Sequence, residues 1–157
     1  MRKLALLLSA FLCCSCAPLD PPSQEQLLIG EMLETYGHIF SYAMDDAPDA
    51  YSFSSTSSPS YTWTHTFTNL TTPDGSYAHG TDTMGFAGEG VPPSSATFSM
   101  RIRTGLGGTE HAVYWEMNRV EGRPVFSNFT IDGVSFQAYA DELADFYEGV
   151  VWFARRN

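Results

Sequence analysis

The stretch whose reading decides the fold is ATFSMRIRTGLGGTEHAVYWEMN, residues 96–118. Ala96, Phe98, Met100 and Ile102 alternate with Thr97, Ser99, Arg101 and Arg103. Past the turn Gly105-Leu106-Gly107-Gly108, His111, Val113, Trp115 and Met117 alternate with Ala112, Tyr114, Glu116 and Asn118. A period of two is that of strands with one buried face. Pairing Arg103 with Glu110 sets Ile102 opposite His111, Met100 opposite Val113 and Phe98 opposite Trp115. Every apolar residue then shares one face, and a slip of one residue would turn the whole set to water.

Toward the C-terminus the next turn tests this register. A two-residue loop at Glu121-Gly122 puts Met117 opposite Phe126 but Trp115 opposite Asn128. A three-residue loop, Val120-Glu121-Gly122 with the glycine as bulge, pairs Met117 with Val125 and Val113 with Phe129 and keeps the apolar face together, so it is the expected one. Asp132-Gly133 is a two-residue hairpin signal pairing Ile131 with Val134 and Phe129 with Phe136. From Asp141 to Arg156 the spacing of Leu143, Phe146, Tyr147 and Val150 predicts a helix, with acids at its start and arginines at its end.

Toward the N-terminus, Tyr61 to Leu70 places Trp63, His65 and Phe67 on one face and a row of threonines on the other, as on a half-solvated strand. Pro73-Asp74-Gly75 is a turn leading to a second strand, Tyr77 to Phe86. A two-residue Pro-Asp loop sets His65 opposite Asp82; a Gly75 bulge sets it opposite Thr83. Both registers stay open. Asp45 to Ser60, rich in Asp, Ser and Pro, reads as a loop. Its Asp45, Asp46 and Asp49 lack the glycine turn and closing glutamate of a calcium loop. Before it, Leu28, Met32, Tyr36, Ile39 and Phe40 repeat at helical spacing over about Gln24 to Ser41, behind a Ser23/Gln26 capping box. The expected fold class is α+β: an N-terminal helix, a six-stranded antiparallel meander as a curved sheet or small barrel, and a C-terminal helix packed on the sheet. No internal repeat is evident.

The first residues are an address. Arg2 and Lys3 precede the apolar run Leu4 to Leu12, then Cys13-Cys14-Ser15-Cys16. Nine apolar residues are too few for a membrane span, which needs roughly 20. The order is that of a secretory signal. All three cysteines of the chain lie here. The segment resembles a bacterial lipoprotein signal, which implies a lipid on Cys16 after cleavage behind Ser15. It departs from that pattern in carrying Cys13, not leucine, three residues before Cys16; Cys14 is a second candidate. The expected organisation is a signal peptide over 1–15, a proline-rich tether over 16–23 and one domain over 24–157. The resemblance implies a cell-envelope location, at the outer membrane or cell surface, with the membrane as partner through the lipid.

From Cys16 onward six arginines and no lysine face eighteen acids, a net charge of −12. So acidic a body is a poor match for nucleic acid, whose phosphates are met by basic residues. With Cys16 acylated, the remaining chain has no thiol for disulfides, thiolate metal sites or nucleophilic catalysis. No nucleophile elbow, His-Glu-x-x-His helix or phosphate-binding glycine loop occurs, and the sequence implies no catalytic residues, metal or cofactor. His65 with Asp82 is the one candidate base and orienting acid, with His79 close by in sequence. Trp63, Phe67 and Trp115, with Phe98, Phe129 and Phe136, line the expected inner face, where a curved sheet can hold a small hydrophobic ligand. Asn69-Leu70-Thr71 and Asn128-Phe129-Thr130 match a glycosylation pattern, a coincidence in a bacterial protein. The leading expectation is a lipid-anchored binding or interaction module. The alternative is a carrier or sensor of a small hydrophobic ligand held between sheet and helices at His65, Asp82, Trp63, Phe67 and Trp115. A His/Asp-dependent enzyme ranks third.

Overall fold

The computed structural model describes residues 21–47, 49–57, 61–88 and 92–145. The expected signal peptide, Cys16 and most of the tether lie outside these residues, as does the expected C-terminal helix beyond 145. Helix α1 (Gln24–Asp46) is followed by seven strands: β1 (Tyr51–Thr56), β2 (Tyr61–Thr71), β3 (Tyr77–Phe86), β4 (Pro93–Arg103), β5 (Glu110–Val120), β6 (Arg123–Ile131) and β7 (Val134–Ser135). A 3-10 turn (Gln137–Tyr139) then leads into helical backbone over 140–145. Among the described residues no helix is long and apolar enough to cross a membrane.

Each strand pairs antiparallel with the next, in the order β1 to β7. The α+β class and the meander are as expected; the strand count is seven rather than six. The sheet is open, with β1 and β7 as its edges, so the barrel alternative is not realised. The extra strand, β1, comes from the segment read as a loop. Tyr51 and Phe53 alternate there with serines, and Tyr51 faces Phe67 and Phe53 faces His65 across the pair. Its outer face is all Ser and Thr, which by composition alone looks like linker.

The hairpin that decided the reading forms in the expected register, from Arg103 opposite Glu110 to Phe98 opposite Trp115. The turn after it does not. Val120 pairs with Arg123, so the loop is the two-residue Glu121-Gly122, and Met117 faces Phe126. The mismatch this creates at Trp115 is absorbed by a bulge. Asn128 adopts φ 56° and the register shifts between Tyr114 and Glu116. Phe126 and Phe129 both end buried, and Val125 points outward at 48% exposure. The expected pairings of Met117 with Val125 and Val113 with Phe129 are therefore replaced: Val113 faces Ile131.

The β2–β3 hairpin is resolved in the same way. Gly75 is left-handed (φ 87°) and Thr72 pairs with Ser76 through the bond from Thr72 N–H to the Ser76 carbonyl (2.9 Å). That is the loop of the Thr83 register. A bulge at Asn69 (φ 51°) then shifts the pairing by one residue, and His65 faces Asp82. Both bulges are centred on an asparagine, a residue that tolerates left-handed backbone better than most. The surrounding sequences, Phe67-Thr68-Asn69-Leu70-Thr71 and Phe126-Ser127-Asn128-Phe129-Thr130, are the same motif. Each buries its two apolar residues three apart on one face. The two apparent glycosylation patterns are the C-terminal parts of this repeat, which the sequence reading missed. Bulges bend a strand and increase its twist, and these two lie symmetrically, each two strands from the central β4.

Helix α1 starts at the expected capping box. The Gln26 amide N–H donates to Ser23 Oγ (3.1 Å) and the Ser23 amide N–H donates to Gln26 Oε1 (2.9 Å). It runs on past Ser41 to Asp46 because its buried stripe continues through Ala43. That stripe, Ile29, Met32, Thr35, Ile39 and Ala43, is rotated about one residue from the expected one, leaving Leu28, Tyr36 and Phe40 at its margin. The helix crosses the inner face at one end of the strands. Thr35 Oγ1 meets Thr104 Oγ1 (2.7 Å) past the end of β4, and His38 Nε2 lies 3.6 Å from Asp74 in the β2–β3 turn. Ser23 Oγ lies 3.4 Å from the Tyr139 hydroxyl beyond β7. The helix thus roofs the end of the sheet that carries the β2–β3 and β4–β5 turns. Leu143, on the described start of the C-terminal helix, is buried in the same core.

Candidate functional site

Between α1 and the concave face lies a cavity of about 1160 Å³. Its helix wall includes Met32, Tyr36 and Phe40; its sheet wall includes Phe98, Trp115 and Phe129. Tyr61 and Trp63 at the start of β2, with Phe53 of β1, also line it. These three are 39%, 45% and 50% exposed. They belong to the strand ends away from α1 and form the rim of the mouth. Large apolar groups half in water around a hollow are the surface signature of a binding site.

The wall is an aromatic lattice. Phe98 stacks on Trp115 with centroids 5.0 Å apart and planes 4° from parallel. Phe126 meets Trp115 edge-on at 5.1 Å, and Tyr36 meets Phe98 edge-on at 5.0 Å. Phe67 is fully buried at the helix end, against Tyr36 and Tyr51. Gly80, opposite Phe67, carries φ 143°, and a β-carbon there would come within 2.2 Å of the Ser99 carbonyl oxygen. Only glycine lets β3 and β4 approach so closely at this point.

One polar cluster interrupts this lining, at mid-depth. Asp82 and His65, cross-strand partners, are 7% and 6% exposed. They do not hydrogen-bond to each other. The Tyr36 hydroxyl of α1 donates to Asp82 Oδ2 (2.8 Å), and the Tyr51 hydroxyl of β1 lies 2.6 Å from His65 Nδ1. Burial lowers the His65 pKa, and burial, then the charge of Asp82, raises that of Tyr51. The imidazole is therefore neutral and the phenol keeps its proton. The Tyr51 hydroxyl and His65 Nδ1 thus satisfy one another with no net charge on either. Burial likewise pushes the Asp82 carboxyl up to about 6, against the opposing pull of the Tyr36 hydroxyl. Its second oxygen, Oδ1, is covered and has no hydrogen-bond partner among the described residues.

This geometry bears on each expected site residue. His65, Asp82, Trp63, Phe67 and Trp115 share the inner face, and all but Phe67 line the cavity. His79 does not join them: it is exposed on the outer face, where its Nδ1 accepts from the Asn69 N–H at 3.3 Å. His65 and Asp82 are not assembled as base and orienting acid, because each is engaged by its own tyrosine. Tyr36 and Tyr51 are the partners that sequence reasoning missed. Tyr51 was hidden in the supposed loop, although its alternation with Phe53 was the available signal. His111, near the start of β5 and opposite Ile102 as expected, has Nδ1 2.7 Å from Asp132 Oδ2. Among the described residues no three His, Cys, Asp or Glu side chains are grouped to hold a metal ion.

No family model, no curated protein and no solved structure matches this chain.

Proposed function

We propose that this chain is a lipid-anchored protein of the bacterial envelope that holds a small hydrophobic molecule between α1 and the concave sheet. The observation that carries the reading is the cavity of about 1160 Å³ with its aromatic wall. Closed cores pack to near-crystalline density and leave few voids larger than a water molecule. Ligand pockets have volumes of roughly 300–1,000 Å³ and are mostly apolar, with a few placed polar groups. The Tyr36, Tyr51, His65 and Asp82 cluster matches the latter description. This favours the carrier or sensor role over a surface-only interaction module. The envelope location and the anchor rest on the lipoprotein-like segment ending at Cys16.

The test of the ligand reading is mass spectrometry of the chain from residue 16 onward with Cys16→Ser, so that no lipid is attached. Native and denaturing masses are compared after purification from cells. An organic mass lost on denaturation supports the reading. Equal masses, together with failure to take up the neutral apolar dye Nile red, would sink it. The anchor is tested separately by membrane fractionation of Cys16→Ala, which is expected to leave the membrane.

A further inference from the structure

We infer that the cavity's ligand is an apolar molecule carrying a single ammonium group, which pairs with Asp82. This rests on the cavity being a ligand site. Asp82 is a buried carboxyl with one oxygen held by the Tyr36 hydroxyl and the other without a partner. Buried carboxylates are ordinarily paired, and an unpaired acceptor is costly. Among the described residues nothing supplies a cation for it: no lysine or arginine of theirs lines the cavity, and their one basic ring there, His65, is neutral and bonded to Tyr51. A ligand ammonium supplies both the charge and the donor, in a charge-assisted hydrogen bond stronger than a neutral one.

The same inventory selects against other head groups. A fatty acid or phosphate-bearing lipid would bring an anion beside Asp82, with no lysine or arginine among the described lining residues to receive it. The −12 charge of the chain from Cys16 onward also disfavours anions at long range and draws cations in. An alcohol could donate to Asp82, but it leaves the carboxylate's charge unmatched. The tail has room. Beyond the mid-depth cluster the cavity continues between Phe98, Trp115 and Phe129 on the sheet and Met32 and Ile29 on α1.

Acid weakens this pairing. Among the described residues, the ionisable groups facing Asp82 are Tyr36 from α1, Tyr51 from β1 and His65 from β2; β4 presents Phe98 opposite it. Burial holds the Tyr51 phenol above its ordinary value, so it keeps its proton in acid. As pH falls through about 6 Asp82 takes up a proton, and His65, if it charges at lower pH still, repels the ligand in the same direction. An alkylammonium stays charged throughout, as a lysine amine does.

The experiment compares three probes of one tail length, dodecylamine, dodecanol and dodecanoate, each below its aggregation concentration. Each displaces Nile red from the same Cys16→Ser chain. At pH 7.5 dodecylamine is expected to bind at least about tenfold more tightly than the other two, the range of a hydrogen bond to a charged group. Asp82→Asn, nearly isosteric and still able to accept from Tyr36, is expected to remove that preference while Nile red still binds. In the unmodified cavity the preference should also shrink between pH 7.5 and pH 5, an arm that depends on no variant folding. Equal binding of the three probes, tighter binding of the alcohol or the acid, or a preference that survives both Asp82→Asn and acid overturns the ammonium assignment and leaves the hydrophobic site standing. Failure of Nile red and all three probes to bind overturns the site itself.

Discussion

Replacing Asp82 by asparagine should stabilise the protein relative to the parent progressively as pH rises from 4 to 7.5. The carboxyl titrates near 3.9 in an unfolded chain and at about 6 when folded, raised by burial. A raised carboxyl favours the folded state most when both forms are protonated, below about pH 4. That favour is lost as pH rises through 6, because the unfolded chain ionises first and at less cost. Two pKa units correspond to about 3 kcal/mol of lost stability between pH 4 and pH 7.5. Asparagine does not titrate and escapes this loss. Its unpaired amide N–H groups add a penalty of their own, but one that does not change with pH. The quantity to read is therefore the change with pH in the difference between the two proteins, which cancels every other titration. In urea melts with a slope of about 2 kcal/mol per molar, the variant's midpoint should gain about 1.5 M on the parent between pH 4 and pH 7.5. A midpoint difference that stays constant over that range would refute the claim that burial of Asp82 destabilises the folded state at neutral pH.

Other outcomes follow from packing and backbone geometry. Phe67→Ala empties a fully buried ring site at the helix end and should cost about 3–5 kcal/mol in a urea melt. Gly80→Ala forces a β-carbon to 2.2 Å from the Ser99 carbonyl at φ 143° and should destabilise by about 3 kcal/mol or abolish soluble expression. Asn128→Ala keeps the β-carbon at φ 56° but loses the amide that eases left-handed backbone and donates to Glu116 Oε2 (3.0 Å), and should lower stability by about 1–2 kcal/mol, whereas Asn128→Gly, free of the β-carbon strain, stays closer to the parent in a thermal melt. The Asp74 carboxyl, held down to about 2 by the Thr72 hydroxyl and by the amide and hydroxyl of Ser76, should titrate well below the ordinary aspartate range in a carbon-detected NMR series. Thr72→Val should raise it.

The parts of the fold legible in the sequence are those where a strand keeps strict alternation to its end. Residues 96 to 118 do, and their pairing forms residue for residue as expected. The Ser23/Gln26 cap was legible because its chemistry is local. What was hidden is one residue wide. A bulge changes the count between a turn and everything beyond it, so the Gly75 loop taken alone points to Thr83 while His65 faces Asp82, the other register left open, and correct alternation around Trp115 predicted the wrong loop at Gly122. The asparagine that marks each bulge carries no distinctive signal until its neighbours are seen to repeat. β1 was missed because a strand with one serine-rich face looks like a linker until a partner is known. The candidate site was half legible. The inner-face residues follow from period two, but the tyrosines that hold His65 and Asp82 come from α1 and β1, and their approach is a tertiary fact.

The paired Phe-x-Asn-x-Thr bulges separate two properties that a strand ordinarily ties together, the order of its neighbours and the depth of its curve. Deleting Asn128 would bring Phe126 and Phe129 to alternate positions, still on one face and still facing β5 with the same apolar residues inward. Deleting Asn69 does the same for Phe67 and Leu70. In-frame loss of one codon, ruinous in most strands, here flattens the cup and shrinks the hollow while the meander survives. The capacity of the container can thus be changed by single-codon insertions and deletions at two places, without a change to any side chain that lines it.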